Sequence, residues 1–125
     1  MNKERPVLPN LVNEGTTEIE QFQNNILRPI IKMQHVIIIA TFKSLLQKRK
    51  VDFAALPDKK KRSKISVTFK TDNNYKNIIL GLIIGHFSMD EYDIYNNNSS
   101  EFNRRILQMI SQRIKDSIEE IVQGN

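Results

Sequence analysis

Apolar residues recur at intervals of three or four along most of this chain, and that spacing constrains its fold more than any other feature. The longest runs of this kind cover residues 19–37, 75–83 and 102–121. Such spacing puts apolar side chains on one face of an α-helix, whereas a half-buried strand alternates with a period of two. The sequence has no Asn-Gly or Asp-Gly pair to connect hairpin strands. The pattern predicts an all-α fold, with about five helices in an irregular bundle.

The first helix is expected to be long and kinked. Thr17 and Glu20 have the spacing of a capping box, in which the two side chains bond to each other's backbone amides. Apolar residues then recur with helical spacing at Ile19, Phe22, Ile26, Ile30, Met33 and Ile37, and the helix should continue to about Lys50. Pro29 lies within this span, where a proline removes one helical hydrogen bond and clashes with the preceding turn. We therefore expect a kink or a break near residues 27–28.

Two middle helices follow. Pro57 should open a basic helix that extends to about Phe69. Its apolar residues also alternate as in a strand, but an isolated strand would have nothing to pair with, so helix is preferred. Asp72 is suited to cap the next helix. In that helix Gly81 and Gly85 share one face, where they would let a neighbouring helix approach closely within the core.

Two more helices complete the prediction. Ser88 and Glu91 form a second capping box, which predicts a short helix over residues 89–95. After a turn over residues 96–100, Ser99 or Ser100 should cap a long C-terminal helix that ends near Val122. The helices are expected to pack around four isoleucines: Ile38, Ile79, Ile83 and Ile110.

The chain of 125 residues fits a single domain. We assign residues 1–15 to an extended or disordered N-terminal arm, because prolines disfavour helix at the residues before them, and residues 16–123 to the helical domain. Four apolar residues could dock the arm on that domain: Val7, Leu8, Leu11 and Val12. Without cysteine, signal peptide or the roughly 18 consecutive apolar residues of a membrane helix, the protein is expected to be cytoplasmic.

Basic residues are concentrated between Lys43 and Lys76, a range called the basic section below. It holds eleven basic and three acidic residues, a net charge of +8 within a chain of net charge +5. Clustered cations bind anionic polymers by releasing counterions. Eight residues are therefore candidate anion-binding residues: Lys48, Arg49, Lys50, Lys59, Lys60, Lys61, Arg62 and Lys64. The alternative is a solvated face without a partner. Nucleic acid is not the favoured ligand, because arginine forks and exposed aromatic residues are few.

A second candidate site is LIIGHFSMDEYDIY, residues 82–95, which combines a histidine, three carboxylates and two tyrosines. His86, Tyr92 and the distant His35 could line a ligand pocket, and the histidines with nearby acids could bind a metal or act in acid–base catalysis. Zinc sites need three or four ligands, and this chain has two histidines without helical ligand spacing. Helix-end electrostatics explain His86 and the carboxylates, and a half-buried position explains His35. We predict no metal and no cofactor.

An acidic section complements the basic one. From His86 to Glu101 the chain has four acids and no lysine or arginine. These opposite charges could meet within one molecule or between two molecules.

The stretches FQNNILRPIIKMQH (residues 22–35), YKNIILGLIIGHFSMDEYDIY (residues 75–95) and EFNRRILQMI (residues 101–110) resemble a family of small, uncharacterised bacterial proteins. Some relatives carry the label glyoxalase. Metal-dependent glyoxalases have paired βαβββ units with His and Glu ligands on strands. Because this sequence predicts no such strands, no catalytic residue is carried over from that label.

The function that the sequence favours is binding. The expected partner is another protein, a second copy of the chain or an anionic polymer at the basic section, and not a membrane. The alternative is a small enzyme or ligand-binding protein that uses His35 and His86 with nearby acids. No P-loop, dinucleotide-binding or nucleophile-elbow motif supports that alternative.

Overall fold

The computed structural model describes Arg5 and residues 17–123, and every regular element in that part of the chain is helical. The seven helices are α1 (Glu18–Met33), α2 (His35–Lys48), α3 (Asp58–Thr71), α4 (Asn73–Ile84), α5 (Met89–Asn97), α6 (Ser99–Asp116) and α7 (Ile118–Gln123), with a 3₁₀ turn at Phe53–Ala55. The all-α prediction is confirmed. The described helices number seven instead of about five, because breaks at Gln34 and Ser117 divide two of the predicted helices. The predicted docking residues of the arm lie outside the described residues.

Pro29 is accommodated by a widened turn within α1. Residues Gln23–Leu27 form a π-helical turn, in which the Arg28 amide bonds to the Gln23 carbonyl, five residues earlier. The sharp bend lies instead at Gln34, where the axes of α1 and α2 differ by 62°. The predicted kink position is therefore wrong, since the π turn absorbs the irregularity that a proline imposes on the preceding turn.

The π turn also changes which side chains of α1 are buried. Phe22 is buried, and the next buried side chain is Leu27, five residues later, while Ile26 is only partly buried. Beyond the bend, Ile38 is fully buried and Ile37 is 40% exposed. The predicted stripe through Ile26 and Ile37 is displaced by one residue at both positions.

The centre of the bundle is α6, which packs against each of the first five helices. Its buried side chains are spaced four residues apart: Phe102, Ile106, Ile110 and Ile114. The four isoleucines predicted to form the core, Ile38, Ile79, Ile83 and Ile110, have no exposed surface. Full burial of such a side chain stabilises the fold by about 1.5–3 kcal/mol.

Helix caps follow the sequence closely at three of the four predicted positions. The Thr17 hydroxyl accepts from the Glu20 amide at 3.0 Å, Asp72 caps α4, and Ser88 with Glu91 forms a complete capping box. The predicted serine cap of α6 is wrong. Because α5 extends to Asn97, Asn98 alone remains as the N-cap residue of α6, and it makes no side-chain capping bond.

The glycine prediction for α4 is also wrong. Gly81 is exposed, and a Cβ added to it would meet nothing within 4 Å, so the glycine face is not packed against another described helix. Ile78 on α4 is 55% exposed and Val36 on α2 is 80% exposed. Among the described helices, none alone is long and apolar enough to cross a membrane, and only the bent pair α1–α2 has the length and composition.

Candidate functional site

The basic section begins at the end of α2, where the chain turns in an unusual backbone conformation. Lys50 has a φ of 54°, a left-handed conformation that favours glycine. The Lys50 amide bonds to the Gln47 carbonyl at 3.0 Å, and the Val51 amide bonds to the Leu46 carbonyl at 3.0 Å. These two bonds form a Schellman motif, whose left-handed position is usually a glycine. A lysine at this position costs about 1–2 kcal/mol.

An ion pair fixes the end of α2 beside the far end of α3. The Arg49 guanidinium contacts the carboxylate of Asp72, the residue that follows α3 and caps α4. Asp72 is thereby held between the Arg49 side chain and the Tyr75 amide, which donates to Asp72 at 2.9 Å. Lys48 and Lys50, the neighbours of Arg49, are both exposed. They therefore lie near the C-terminal end of α3.

The remaining cations of the basic section are distributed along α3. Lys59 and Lys60 lie in its first turn and Lys70 in its last, and all three are exposed. At 1.5 Å per residue, Lys59 and Lys70 are about 16 Å apart along the helix axis. The cations of the basic section, Lys70 included, therefore form an extended track of positive charge and not one compact patch.

Three of the eight candidate anion-binding residues have partners within the chain: Arg49 at Asp72, Arg62 at Asp58 (3.5 Å) and Lys61 at the Leu56 carbonyl (2.7 Å). The other five make no ion pair with any described residue: Lys48, Lys50, Lys59, Lys60 and Lys64. Lys64 is partly buried and the other four are exposed. Most of the predicted cations are thus available to an external anion.

The second candidate site, residues 82–95, is a joint between α4 and α5 that Gln34 and Arg5 hold together. The buried side-chain amide of Gln34 donates to the Leu82 carbonyl at 3.1 Å and to the His86 ring at 3.0 Å. His86 Nε2 must accept this bond, so the proton of the neutral ring is on Nδ1. The prediction placed His86 in the last turn of a helix, but α4 ends at Ile84 and His86 lies beyond it.

Arg5 occupies the other side of this joint. Its guanidinium binds both carboxylate oxygens of Glu91, at 2.8 and 3.2 Å, and donates to the His86 carbonyl at 2.6 Å. Burial alone would raise the pKa of Glu91, but the hydrogen bonds from Arg5 and Ser88 outweigh burial and lower it. Sequence spacing gave no indication of Gln34 or Arg5, because their partners are 48 to 86 residues away.

His35 belongs to a different cluster, at the junction of α6 and α7. Arg113 donates to His35 Nδ1 at 3.1 Å, and Nε2 lies 3.0 Å from a Glu120 oxygen. Because an arginine nitrogen can only donate, His35 Nδ1 accepts in this geometry and Nε2 faces the Glu120 carboxylate as the donor. Tyr92 is 39% exposed and its ring is 6.0 Å from that of Tyr95.

No hydrogen bond or ring contact among the described residues joins His35, His86 and Tyr92 to one another. His35 contacts Arg113 and Glu120, His86 contacts Gln34 and Arg5, and Tyr92 contacts Tyr95. Within residues 17–123 and Arg5, no three His, Asp or Glu side chains could hold a metal ion. The histidines are explained by structural hydrogen bonds at helix ends and bends.

The predicted charge complementarity is not used inside the described part of the molecule. Glu91 pairs with Arg5, and Glu101 pairs with Arg104 and Arg105. Asp90 and Asp93 are exposed and make no ion pair with a described residue. Comparison of the chain with known family models, curated proteins and solved structures finds no match.

Proposed function

We propose that this protein binds an extended anionic polymer through the basic section. The observation that supports the proposal best is the track of exposed lysines along α3, continued by Lys48 and Lys50 at the end of α2. Unpaired lysines close together repel one another, and an anionic partner relieves that repulsion while its counterions are released. Arg49 takes part indirectly, since its pairing with Asp72 holds Lys48 and Lys50 near the track.

The shape of the track favours a polymer over a small anion. Its cations are distributed over about 16 Å of helix α3, a length that a single phosphate or sulfate cannot cover. A chain of phosphates or sulfates presents charges at regular intervals and can contact the whole track. Few exposed aromatic residues accompany the lysines, so binding is expected to depend on charge more than on base stacking.

The strained backbone at Lys50 supports the same proposal. Glycine or asparagine would relieve the left-handed conformation, yet the position carries a lysine. Residues held in unfavourable backbone conformations are concentrated at functional sites. Lysine provides a positive charge at this position, which neither glycine nor asparagine could provide.

The alternative functions have less support. An enzyme that uses His35 and His86 would need both rings free to act, and each ring is engaged in hydrogen bonds to neighbouring side chains. We retain the cytoplasmic location and the resemblance to small bacterial proteins as part of the proposal. A protein partner would be recognised by the same charges if its surface were acidic.

The test compares two double variants of equal charge. Lys48→Gln/Lys60→Gln removes two cations of the track, and Arg28→Gln/Lys32→Gln removes two exposed cations of α1. Binding to a fluorescent single-stranded oligonucleotide and to heparin is measured by anisotropy at several salt concentrations. For the oligonucleotide, the track variant should lower the slope of log K against log salt by about 0.7 for each lysine lost. The α1 variant should leave it nearly unchanged.

Two results would contradict the proposal. Equal losses in both variants would show that net charge alone governs the interaction, without a defined surface. Absence of binding to both polymers at low salt would remove the anionic polymer as a partner.

A further inference from the structure

A groove between α3 and α6 combines an apolar floor with a cationic rim. Its volume is about 640 Å³, and Phe69 and Leu107 provide apolar surface in it. Lys70, Arg104 and Lys115 provide three cations, and serine and glutamine side chains complete the lining. The described residues that line this groove include no carboxylate. The groove is therefore suited to a ligand that carries both apolar and acidic groups.

Two of the three cations are available. Arg104 binds Glu101 at 2.5 Å and Gln108 at 2.9 Å. Lys70 and Lys115 make no ion pair within the described part of the chain. Arg104 and Lys115 are eleven residues apart on α6, so the groove is about 16 Å long.

The complementary surface is the exposed face of α5. Asp90 and Asp93 lie on this helix, both exposed and without an ion-pair partner among the described residues. Met89 is 73% exposed and precedes Asp93 by one helical turn. Tyr95, the buried residue of α5, packs on Phe102 of α6, with ring centres 6.3 Å apart. Helical geometry puts Asp93 on the opposite side of α5 from Tyr95.

We propose that α5 of one molecule docks in the α3–α6 groove of a second copy of this chain. Asp90 and Asp93 are less than one helical turn apart, so both would pair with the lysine at one end of the groove, Lys70 or Lys115, and Met89 would contact the apolar floor. The lengths agree, since the nine residues of α5 extend about 13 Å. Within one molecule the acidic face cannot turn into the groove, because α5 is tied to α6 through Tyr95 and the single residue Asn98.

This contact joins two different surfaces, so it does not close on itself as a symmetric dimer does. Each copy retains a free α5 at one end and a free groove at the other, which allows head-to-tail growth. One nine-residue helix buries much less than the roughly 1,200 Å² of a stable interface. Association should therefore be weak, concentration-dependent and weakened by salt.

The experiment uses two variants and their mixture. Lys70→Gln/Lys115→Gln neutralises the groove, Asp90→Asn/Asp93→Asn neutralises the face, and Glu18→Gln/Glu20→Gln is the control for loss of two exposed acids in the first turn of a helix. Circular dichroism checks that each is folded. Sedimentation at low salt should give an average mass that rises with concentration for the wild type and the control, and a monomer mass for each of the other two variants.

The mixture provides the decisive measurement. The groove variant retains an intact face and the face variant retains an intact groove, so together they can form one native contact. They should form a heterodimer of twice the 14.6 kDa chain mass and grow no further. Failure of the mixture to associate overturns the proposal.

Two other outcomes also overturn it: a wild type that stays monomeric at every concentration, and variants that associate as the wild type does. The second outcome would indicate another surface, such as that around Val36 and Ile78. The two proposals share Lys70 but are distinguishable, since the face variant keeps every cation of the basic section and should bind polymer normally.

Discussion

Replacement of Lys50 by glycine should stabilise the protein while weakening its binding to an anionic polymer. Lys50 occupies the left-handed position of the Schellman motif that ends α2. A non-glycine residue in this conformation costs about 1–2 kcal/mol. Glycine removes that cost but gives the unfolded chain more freedom, which offsets about 0.4–1 kcal/mol. The expected net gain is about 0.5–1 kcal/mol.

The two effects are measured separately. Urea denaturation should show a midpoint raised by about 0.3–0.7 M, for an m-value of ~1.5 kcal/mol per M. Binding to a labelled single-stranded oligonucleotide should lose about 0.7 from its salt slope, the share of one phosphate contact. Lys50→Asn is the matched control, because asparagine tolerates the left-handed conformation and is uncharged. It should lose the same binding and gain less stability.

Each half of the reasoning can be refuted. A Lys50→Gly variant that is less stable than the wild type would show that the backbone conformation at this position is not a source of strain. A variant with unchanged polymer binding would show that the Lys50 cation has no part in the interaction, whatever its effect on stability.

Three further predictions concern the body of the protein. The pKa of Glu91 is lowered in the folded protein, so its contribution to stability is present above the unfolded-state value of 4.5 and is lost as the pH falls below that value. Arg5→Ala should therefore reduce the loss of melting temperature between pH 6 and pH 3. Ile79→Ala should cost about 2–5 kcal/mol in urea denaturation, because Ile79 is fully buried, whereas Ile78→Ala, at a 55% exposed position, should cost much less. Burial raises the pKa of the Tyr75 phenol to about 12, so spectrophotometric titration should show one tyrosine that ionises late.

The features that sequence predicted well are those set by neighbours in the chain. Capping at Thr17, Asp72 and Ser88 depends on residues three positions away, and all three caps form. The core isoleucines Ile79 and Ile83 follow from helical spacing alone. Sequence was sufficient to predict an interaction wherever its two partners lie within one turn of the same helix.

Features that depend on distant contacts were missed. Hydrogen bonds from the Gln34 side chain to Leu82 and His86 hold the bend at Gln34. The sequence around Gln34 contains no motif that predicts these bonds. The basic section was predicted as one cluster because Lys50 and Lys59 are close in sequence. Lys59 lies at the start of α3, whereas Arg49 is bound to Asp72 at the end of α3. Residues that are close in sequence are therefore separated by the length of the helix.

Gly81 shows the same limit of sequence-based prediction. Two residues four positions apart lie on one face of a helix, whether that face is buried or exposed. The pairing of Gly81 with Gly85 predicted close helix packing, whereas a Cβ at Gly81 would meet nothing within 4 Å. Which face of α4 is buried is decided by the neighbouring helices α3 and α6, through contacts that lie outside the helix's own sequence.

The π-helical turn in α1 has a consequence for the comparison of related sequences. A hydrogen bond that closes over five residues instead of four accommodates one additional residue without changing what lies before or after it. A relative with an ordinary helix here should therefore lack one residue between the positions of Phe22 and Leu27, and align without a gap on both sides. A single-residue gap at this place would mark where the turn arose by insertion, and an alignment that spread the mismatch along α1 would assign the wrong residues to the core.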